Sequence, residues 1–273
     1  MKIGVFIKNK SLESNQELEK LISKLSAAGC ILYRIEKALQ EDTALVMSVG
    51  GDGTFLSASK LVADSGVPVI GVNLGRLGFL SENKAEDVAE ALLNKDYSIE
   101  NRTLLFASLK KGCLCEGDGF WPYALNEVTV HRSGAAVLGI KVAVDGSPLP
   151  TYWADGLLVA TASGSTAYSL SVGGPICLPD AKVLVIAPIA PHNLNVRPLV
   201  VPDTSIVDIS IESRDKSAVL TMDNRTVMTE PFCSLSISMA QFSLKRIRLA
   251  KSNFVKALTS KLFWGEDVRN NEE

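Results

Sequence analysis

Residues 44–75, ALVMSVGGDGTFLSASKLVADSGVPVIGVNLG, decide the fold of the first half of the chain. The apolar run ALVMSV reads as a buried strand, TFLSASKLVADSG as a helix and VPVIGVNLG as a second buried strand. Two strands joined through a helix run parallel, because only a crossover returns the chain to the same starting edge. Upstream, KIGVFIK repeats the strand pattern, and NQELEKLISKLSAAGC puts Leu18, Leu21, Ile22 and Leu25 on one helix face. Downstream, KAEDVAEALLNKD is a further amphipathic helix. Residues 1–100 therefore predict a Rossmann-like α/β domain, with helices covering a parallel sheet.

The segment GGDGT, 50–54, falls at the carboxyl end of its strand, the edge where open α/β sheets bind ligands. Gly50, Gly51 and Gly53 allow close approach to the backbone, and the helix expected from about Thr54 offers its first N–H groups to phosphate. These residues leave two readings open: a tight turn with Asp52 or Thr54 as helix cap, or a phosphate loop made of Gly50, Gly51, Gly53 and Thr54. NLGRLGFLSE, 73–82, follows the next strand and is expected at the same sheet edge. The chain contains neither GxxxxGK[ST] nor GxGxxG.

Beyond about residue 101 the pattern becomes a succession of short strands, among them TLLFASLKK, YALNEVTVHR, VLGIKVAVDG, KVLVIAPI and TSIVDISIES. Residues 101–251 thus predict a second, all-β domain of sandwich type, with Asp145-Gly146 as a hairpin turn. LKRIRLAK is grouped with these strands. The tail NFVKALTSKLFW returns to helical spacing, and residues 252–273 are expected to join the first domain or to offer an oligomer contact. No Gly/Ser/Pro-rich linker separates the halves, so a shared cleft is expected.

With 47% hydrophobic and 21% charged residues the chain is globular, and its net charge of −2 argues against a nucleic-acid footprint or a basic membrane patch. Phosphorylated ligands remain open, since backbone N–H groups hold phosphate without net positive charge. MKIGVFIKNK reads as a strand rather than a signal peptide, and nothing approaches a membrane span. The five cysteines, Cys30, Cys113, Cys115, Cys177 and Cys233, are odd in number and scattered, which predicts reduced thiols in a cytoplasmic protein.

Three further features carry polar chemistry. In ALNEVTV, Asn126 and Glu127 interrupt an apolar strand; Asn offers a donor and an acceptor to a base edge, and Glu can accept from ribose hydroxyls. Strand alternation would send the two to opposite faces, or a bulge would present both. In ADGLLVATASGSTAYSLSVGGP, 154–175, a strand runs into small and hydroxylic residues that suit a groove. There Thr166 and Ser171 can bond to a ligand, Ala167 leaves room for a flat ring and Tyr168 can stack on one. His131 and His192 accompany no serine in triad fashion and read as structural.

Taken together, GGDGT at 50–54, NLGRLGFL at 73–80, Asn126-Glu127, Asp155-Gly156, GSTAYSLS at 164–171, GGP at 173–175 and RPLVVP at 197–202 resemble the NAD kinase family. GGDGT alone is shared with diacylglycerol-type lipid kinases, against which GSTAYSLS discriminates; the retained Asp52 argues against a non-catalytic dinucleotide-binding regulator, a reading that Trp153 and Arg225 leave open. The resemblance implies an α/β domain facing a β-rich domain with NAD in the cleft. It implies transfer of a phosphoryl group from ATP, or polyphosphate in some members, to the adenosine 2′-hydroxyl of NAD. By that likeness Asp52 accepts the proton and Gly53 belongs to the phosphate loop. Asn126, Glu127, Asp155, Thr166, Ala167, Tyr168, Ser169, Leu170 and Ser171 would contact NAD, with Asp155 at the nicotinamide end and Asn126, Ala167 and Tyr168 at the adenine end. A divalent metal ion, magnesium, and a homo-oligomer, dimer or tetramer, are further expectations. Two positions depart from the family pattern: Trp153 replaces a basic residue, and Asp223-Asn224-Arg225 replaces Asp-Gly-Gln. A basic group near the NAD phosphates then has to come from elsewhere, Arg225 being one source.

Overall fold

A computed structural model of the chain describes residues 1–75, 78–111 and 121–262. Cys113 and Cys115, and Arg76 and Leu77 of the second glycine loop, lie outside the described residues. The chain divides into two compact units, one of residues 1–101 with 245–273, the other of residues 102–244.

In the first unit the elements are β1 (Lys2–Ile7), α1 (Gln16–Ala27), β2 (Ile31–Arg34), β3 (Leu45–Val49), α2 (Asp52–Val62), β4 (Val69–Asn73), β5 (Asn83–Lys84), α3 (Ala85–Asn94) and β6 (Tyr97–Arg102). The sheet runs β2-β1-β3-β4 in parallel, as the 44–75 pattern requires. All five residues of β3 are buried, the signature of a central strand covered on both faces. Leu18, Leu21 and Leu25 of α1 and Val88, Ala89 and Leu92 of α3 close over Leu45, Met47, Val49, Ile70 and Val72. Asn15 starts α1 by accepting from the N–H groups of Glu17 and Leu18, two donors the helix itself cannot satisfy.

The second unit contains β7 (Leu105–Lys111), β8 (Tyr123–Ala124), β9 (Glu127–Arg132), β10 (Leu138–Val144), β11 (Ser147–Pro148), β12 (Tyr152–Thr161), α4 (Tyr168–Ser171), β13 (Val183–Pro191), β14 (Leu199–Pro202), β15 (Val207–Glu212), β16 (Ala218–Met222), β17 (Arg225–Thr229) and β18 (Phe232–Met239). These strands form one twelve-stranded sheet whose main path is β17-β16-β9-β12-β10-β15-β18-β7-β8. It curls enough for Leu220 of β16 and Leu105 of β7, from distant positions on that path, to join one apolar core. Strand alternation sets that core: in β15, Val207, Ile209 and Ile211 point inward while Ser210 and Glu212 are exposed. Asp145-Gly146 does turn a hairpin, with φ of 49° and 79° between paired Val144 and Ser147.

Two findings differ from the sequence pattern. LKRIRL forms β19 (Leu244–Leu249), which enters the first unit's sheet between β4 and β6 instead of extending the antiparallel strands. It is followed by α5 (Phe254–Leu262), which also belongs to the first unit. A strand's local alternation does not encode which sheet it joins. The second difference is chemical: Cys30 and Cys177 are free thiols, whereas Cys233 is disulfide-bonded, so the expectation of reduced cysteines fails at that position. Among the described residues, no helix is long and apolar enough to cross a membrane.

Candidate active site

In the first unit the two glycine-containing loops share the carboxyl edge of β3 and β4, where Val49 pairs with Val72 and the Gly50 N–H donates to the Val72 carbonyl at 2.8 Å. Gly50 turns the chain with φ of +141°, a conformation that L side chains rarely adopt. The helix then starts at Asp52 with Gly51 as its cap residue, so neither Asp52 nor Thr54 caps it. A Cβ at Gly51 or Gly53 would meet no atom of the described residues, which leave the space over this turn open.

The Asp52 carboxylate reaches instead across to the second loop. Its Oδ2 accepts from the Phe79 N–H at 2.9 Å, and its Oδ1 from the Leu80 and Ser81 N–H groups at 3.0 and 2.8 Å. A carboxylate has about four acceptor positions, so one on Oδ2 is left for a substrate. Gly78 is where the approach is closest: a Cβ there would collide with the Asp52 carboxyl.

In the second unit the same device recurs. Asp223, in the turn between β16 and β17 with φ of 51°, accepts from the N–H groups of Leu125, Asn126 and Glu127 at 2.9, 2.8 and 3.3 Å. Thr161 Oγ1 donates to the Leu125 carbonyl at 2.6 Å and accepts from Gly164 N–H at 3.0 Å, which ties the Asn126-Glu127 step to the start of GSTAYSLS. Both side chains of that step are buried, yet among the described residues Asn126 Oδ1 and Glu127 Oε2 have no hydrogen-bond partner. Orphaned buried acceptors of this kind are costly unless a ligand meets them. Burial first, and the Asp223 carboxylate second, push the Glu127 carboxyl up to about 8, against the pull of the Tyr168 N–H. Glu127 is therefore protonated at neutral pH and can donate as well as accept. Burial also pushes Asp223 up, but three N–H bonds and Arg225 oppose it.

Beside Glu127, the Tyr168 ring stacks on His131 with centroids 5.7 Å apart and planes 12° from parallel. Burial holds the His131 pKa below its ordinary value, with Asp155 acting in the opposite sense. Asp155 is paired with Arg132, at 2.7 Å from Nε and 3.2 Å from Nη2. The structure thus gathers Asn126, Glu127, Asp155 and Tyr168 into one constellation. Thr166, Ala167 and Leu170 are partly buried and Ser171 is exposed, whereas Ser169 is fully buried where a Cβ on Gly174 would strike it.

Sequence patterns missed three neighbours of this constellation: His131, Arg132 and Asp223. His131 follows Glu127 at same-face strand spacing, the one signal available; Asp223 comes from far along the chain. Arg225 does not serve as a free basic group: it donates to the Trp121 and Tyr123 carbonyls and lies 4.9 Å from the Trp121 ring centroid. Trp153, half-exposed, covers Gly139.

Two family models match the chain, the ATP-NAD kinase N-terminal domain over residues 6–97 and the ATP-NAD kinase C-terminal domain over residues 125–249. An NAD kinase of Flavobacterium psychrophilum is 42% identical over 87% of this chain and 82% of its own length. One of Porphyromonas gingivalis is 38% identical over 98% of this chain and 99% of its own length. Among solved structures, yeast NADH kinase complexed with NADH superposes with a TM-score of 0.85 over 98% of this chain and 89% of its own, at 23% identity. An Archaeoglobus fulgidus NAD kinase in complex with ATP gives 0.76 over 92% and 95%, also at 23% identity. The family models and these relatives define the class as a phosphotransferase acting on NAD. The chain belongs to the NAD kinase family. Lipid kinase and non-catalytic regulator are accordingly not favoured.

Proposed function

We propose that the chain transfers the γ-phosphoryl group of ATP to the adenosine 2′-hydroxyl of NAD, with Asp52 as proton acceptor. The observation that carries this assignment is the Asp52 carboxylate itself, fixed by three backbone N–H bonds at the ligand edge of a parallel sheet with one acceptor position on Oδ2 unused. The 2′-oxygen forms its bond to the γ-phosphorus, the bond to the β,γ-bridging oxygen breaks with its electron pair leaving on ADP, and the hydroxyl proton passes to Asp52. Such transfers ask the protein mainly for alignment, and a rigidly held carboxylate meets that demand.

Gly50, Gly51, Gly53 and Thr54 form the phosphate loop, the open space over Gly51 and Gly53 admitting the donor's phosphates. Asn126, Glu127, Asp155 and Thr166 to Ser171 bind NAD. The orphaned Asn126 Oδ1 and Glu127 Oε2 meet its adenosine end, and Asp155 its nicotinamide end. Among the described residues no group of three or more His, Cys, Asp and Glu side chains could hold a metal ion. Magnesium is proposed to arrive on the donor's phosphates, as it commonly does, and no step rests on a protein-held ion. A cytoplasmic location, where both substrates occur, and a homo-oligomer complete the proposal.

The decisive experiment incubates the protein with NAD, magnesium and ATP and detects NADP with an NADP-specific dehydrogenase. NADP formation is expected; parallel arms with polyphosphate and with diacylglycerol identify a different donor or acceptor. No NADP from either donor would overturn the assignment.

A further inference from the structure

We propose that Lys261, from the C-terminal helix, is a positioning residue for the phosphoryl transfer, acting on Asp52 through the peptide group between Gly78 and Phe79. Lys261 Nζ donates to the Gly78 carbonyl oxygen. The N–H of that same peptide group, on Phe79, donates to Asp52 Oδ2 at 2.9 Å. A trans peptide carries its C=O and N–H on opposite sides, so ammonium, amide and carboxylate lie in series. A cation on the carbonyl oxygen polarises the amide and strengthens its N–H as a donor.

The next peptide group but one, between Leu80 and Ser81, repeats the arrangement in weaker form: Arg246 Nη2 lies 3.4 Å from the Leu80 carbonyl oxygen, and the Ser81 N–H donates to Asp52 Oδ1 at 2.8 Å. Arg246 is buried and held by Glu82 at 2.5 Å, a fixed part of the sheet. Lys261 is different, because α5 brings it from far along the chain. Its ammonium sits 4.7 Å from the centroid of the Phe79 ring, which in turn lies 6.0 Å from the Phe254 ring at the other end of α5. Two contacts from one helix thus fix residues 78 and 79, and the Oδ2 they hold is the oxygen with the unused acceptor position.

Among the described residues, the charged groups around Lys261 are Glu82, Asp52 and Arg246. Burial lowers its pKa from the ordinary lysine value, with Glu82 and Asp52 opposing and Arg246 adding to the fall. The ammonium, which the relay needs, is therefore lost at a lower pH than for a free lysine, whereas an arginine in its place keeps its charge.

This inference rests on Asp52 as the proton acceptor, and the test separates the two. Wild type, Lys261→Met, Lys261→Arg and the exposed control Lys256→Met are compared for kcat, KM and Kd for NAD, and the pH profile of kcat. Lys261→Met is expected to lower kcat roughly ten- to hundredfold, the range seen when an outer partner of an active group is removed, with Kd for NAD unchanged. Lys261→Arg is expected to recover most of that loss and to move the alkaline fall in kcat to higher pH; Lys256→Met should match wild type. Active wild type with an unaffected Lys261→Met kcat would overturn the role of Lys261 alone, as would Lys261→Arg retaining the wild-type alkaline limb. If Lys261→Met fails to fold, the arginine profile decides. Wild type making no NADP would instead sink the kinase assignment.

Discussion

Replacing Asp52 by Asn removes the proposed proton acceptor and rearranges a hydrogen-bond clamp, and both effects can be sized. Loss of general-base assistance typically costs ~10²- to 10⁴-fold in rate. The amide keeps one carbonyl oxygen, which stays best placed at Oδ1, where it satisfies both the Leu80 and Ser81 N–H groups. Its NH₂ then faces the Phe79 N–H, donor against donor, where Oδ2 had accepted at 2.9 Å. The opposite rotamer leaves two N–H groups unpaired and is worse. One unsatisfied donor costs ~1–3 kcal/mol, which in a domain of this size lowers Tm by roughly 2–12 °C. Because Asp52 is proposed to act on the hydroxyl in the transition state rather than to anchor the dinucleotide, Kd for NAD should change little. The assay is coupled NADP formation at saturating NAD and ATP, with thermal unfolding and calorimetric NAD binding on the same preparation. We expect kcat down at least about a hundredfold, a modest fall in Tm and unchanged Kd. A variant with lowered Tm and near-wild-type turnover would refute the reasoning, since Asp52 would then serve only to clamp residues 79–81.

Gly78→Ala places a methyl group in the Asp52 carboxylate, so kcat should fall about as far as in Asp52→Asn, by roughly a hundredfold, in the same coupled assay. Glu127, raised to about 8 in the folded protein, holds its proton in the fold at pH values where the unfolded chain has lost it. Its contribution to stability is therefore full below the unfolded value near 4.5 and is lost as pH rises through about 8. Glu127→Gln, a neutral isostere, should bind NAD like wild type at pH 6–7 and lose the weakening of NAD affinity that wild type shows above about pH 8, as read by calorimetry across that range. Asp223→Ala strands the Leu125, Asn126 and Glu127 N–H donors together, so Tm should drop by ~6 °C or more and KM for NAD should rise, as measured by scanning calorimetry and steady-state kinetics.

Periodicity reaches some of these groups and not others, for physical reasons. The strand-helix-strand order of 44–75 requires a parallel sheet, and the sheet brings GGDGT and the Gly78 loop to one edge. β19 escaped because hydrophobic alternation says that a strand is half-buried, never which sheet buries it. The glycines and Asp52 stood out locally, since tolerance of unusual backbone geometry is a residue property. What Asp52 does with its side chain did not, because its partners are N–H groups 27 to 29 residues away. Every residue but proline has such a donor, and so no residue type marks it.

Asp223 makes the same point at longer range, 96 to 98 residues from the N–H groups it gathers. Each unit therefore uses one carboxylate to bind three consecutive peptide N–H groups, but the outcome differs. In the first unit the carboxylate is itself the group proposed to react and the peptides are its support, with Lys261 and Arg246 behind them. In the second the peptides carry the side chains proposed to bind NAD, Asn126 and Glu127, and Asp223 is the support. The difference follows from where each carboxylate lies. Asp52 sits at a sheet edge partly open to solvent, so its remaining lone pair can meet a substrate. Asp223 lies inside a β-turn, where burial raises the proton affinity of the neighbouring Glu127 and leaves that side chain as the group able to donate to a ligand.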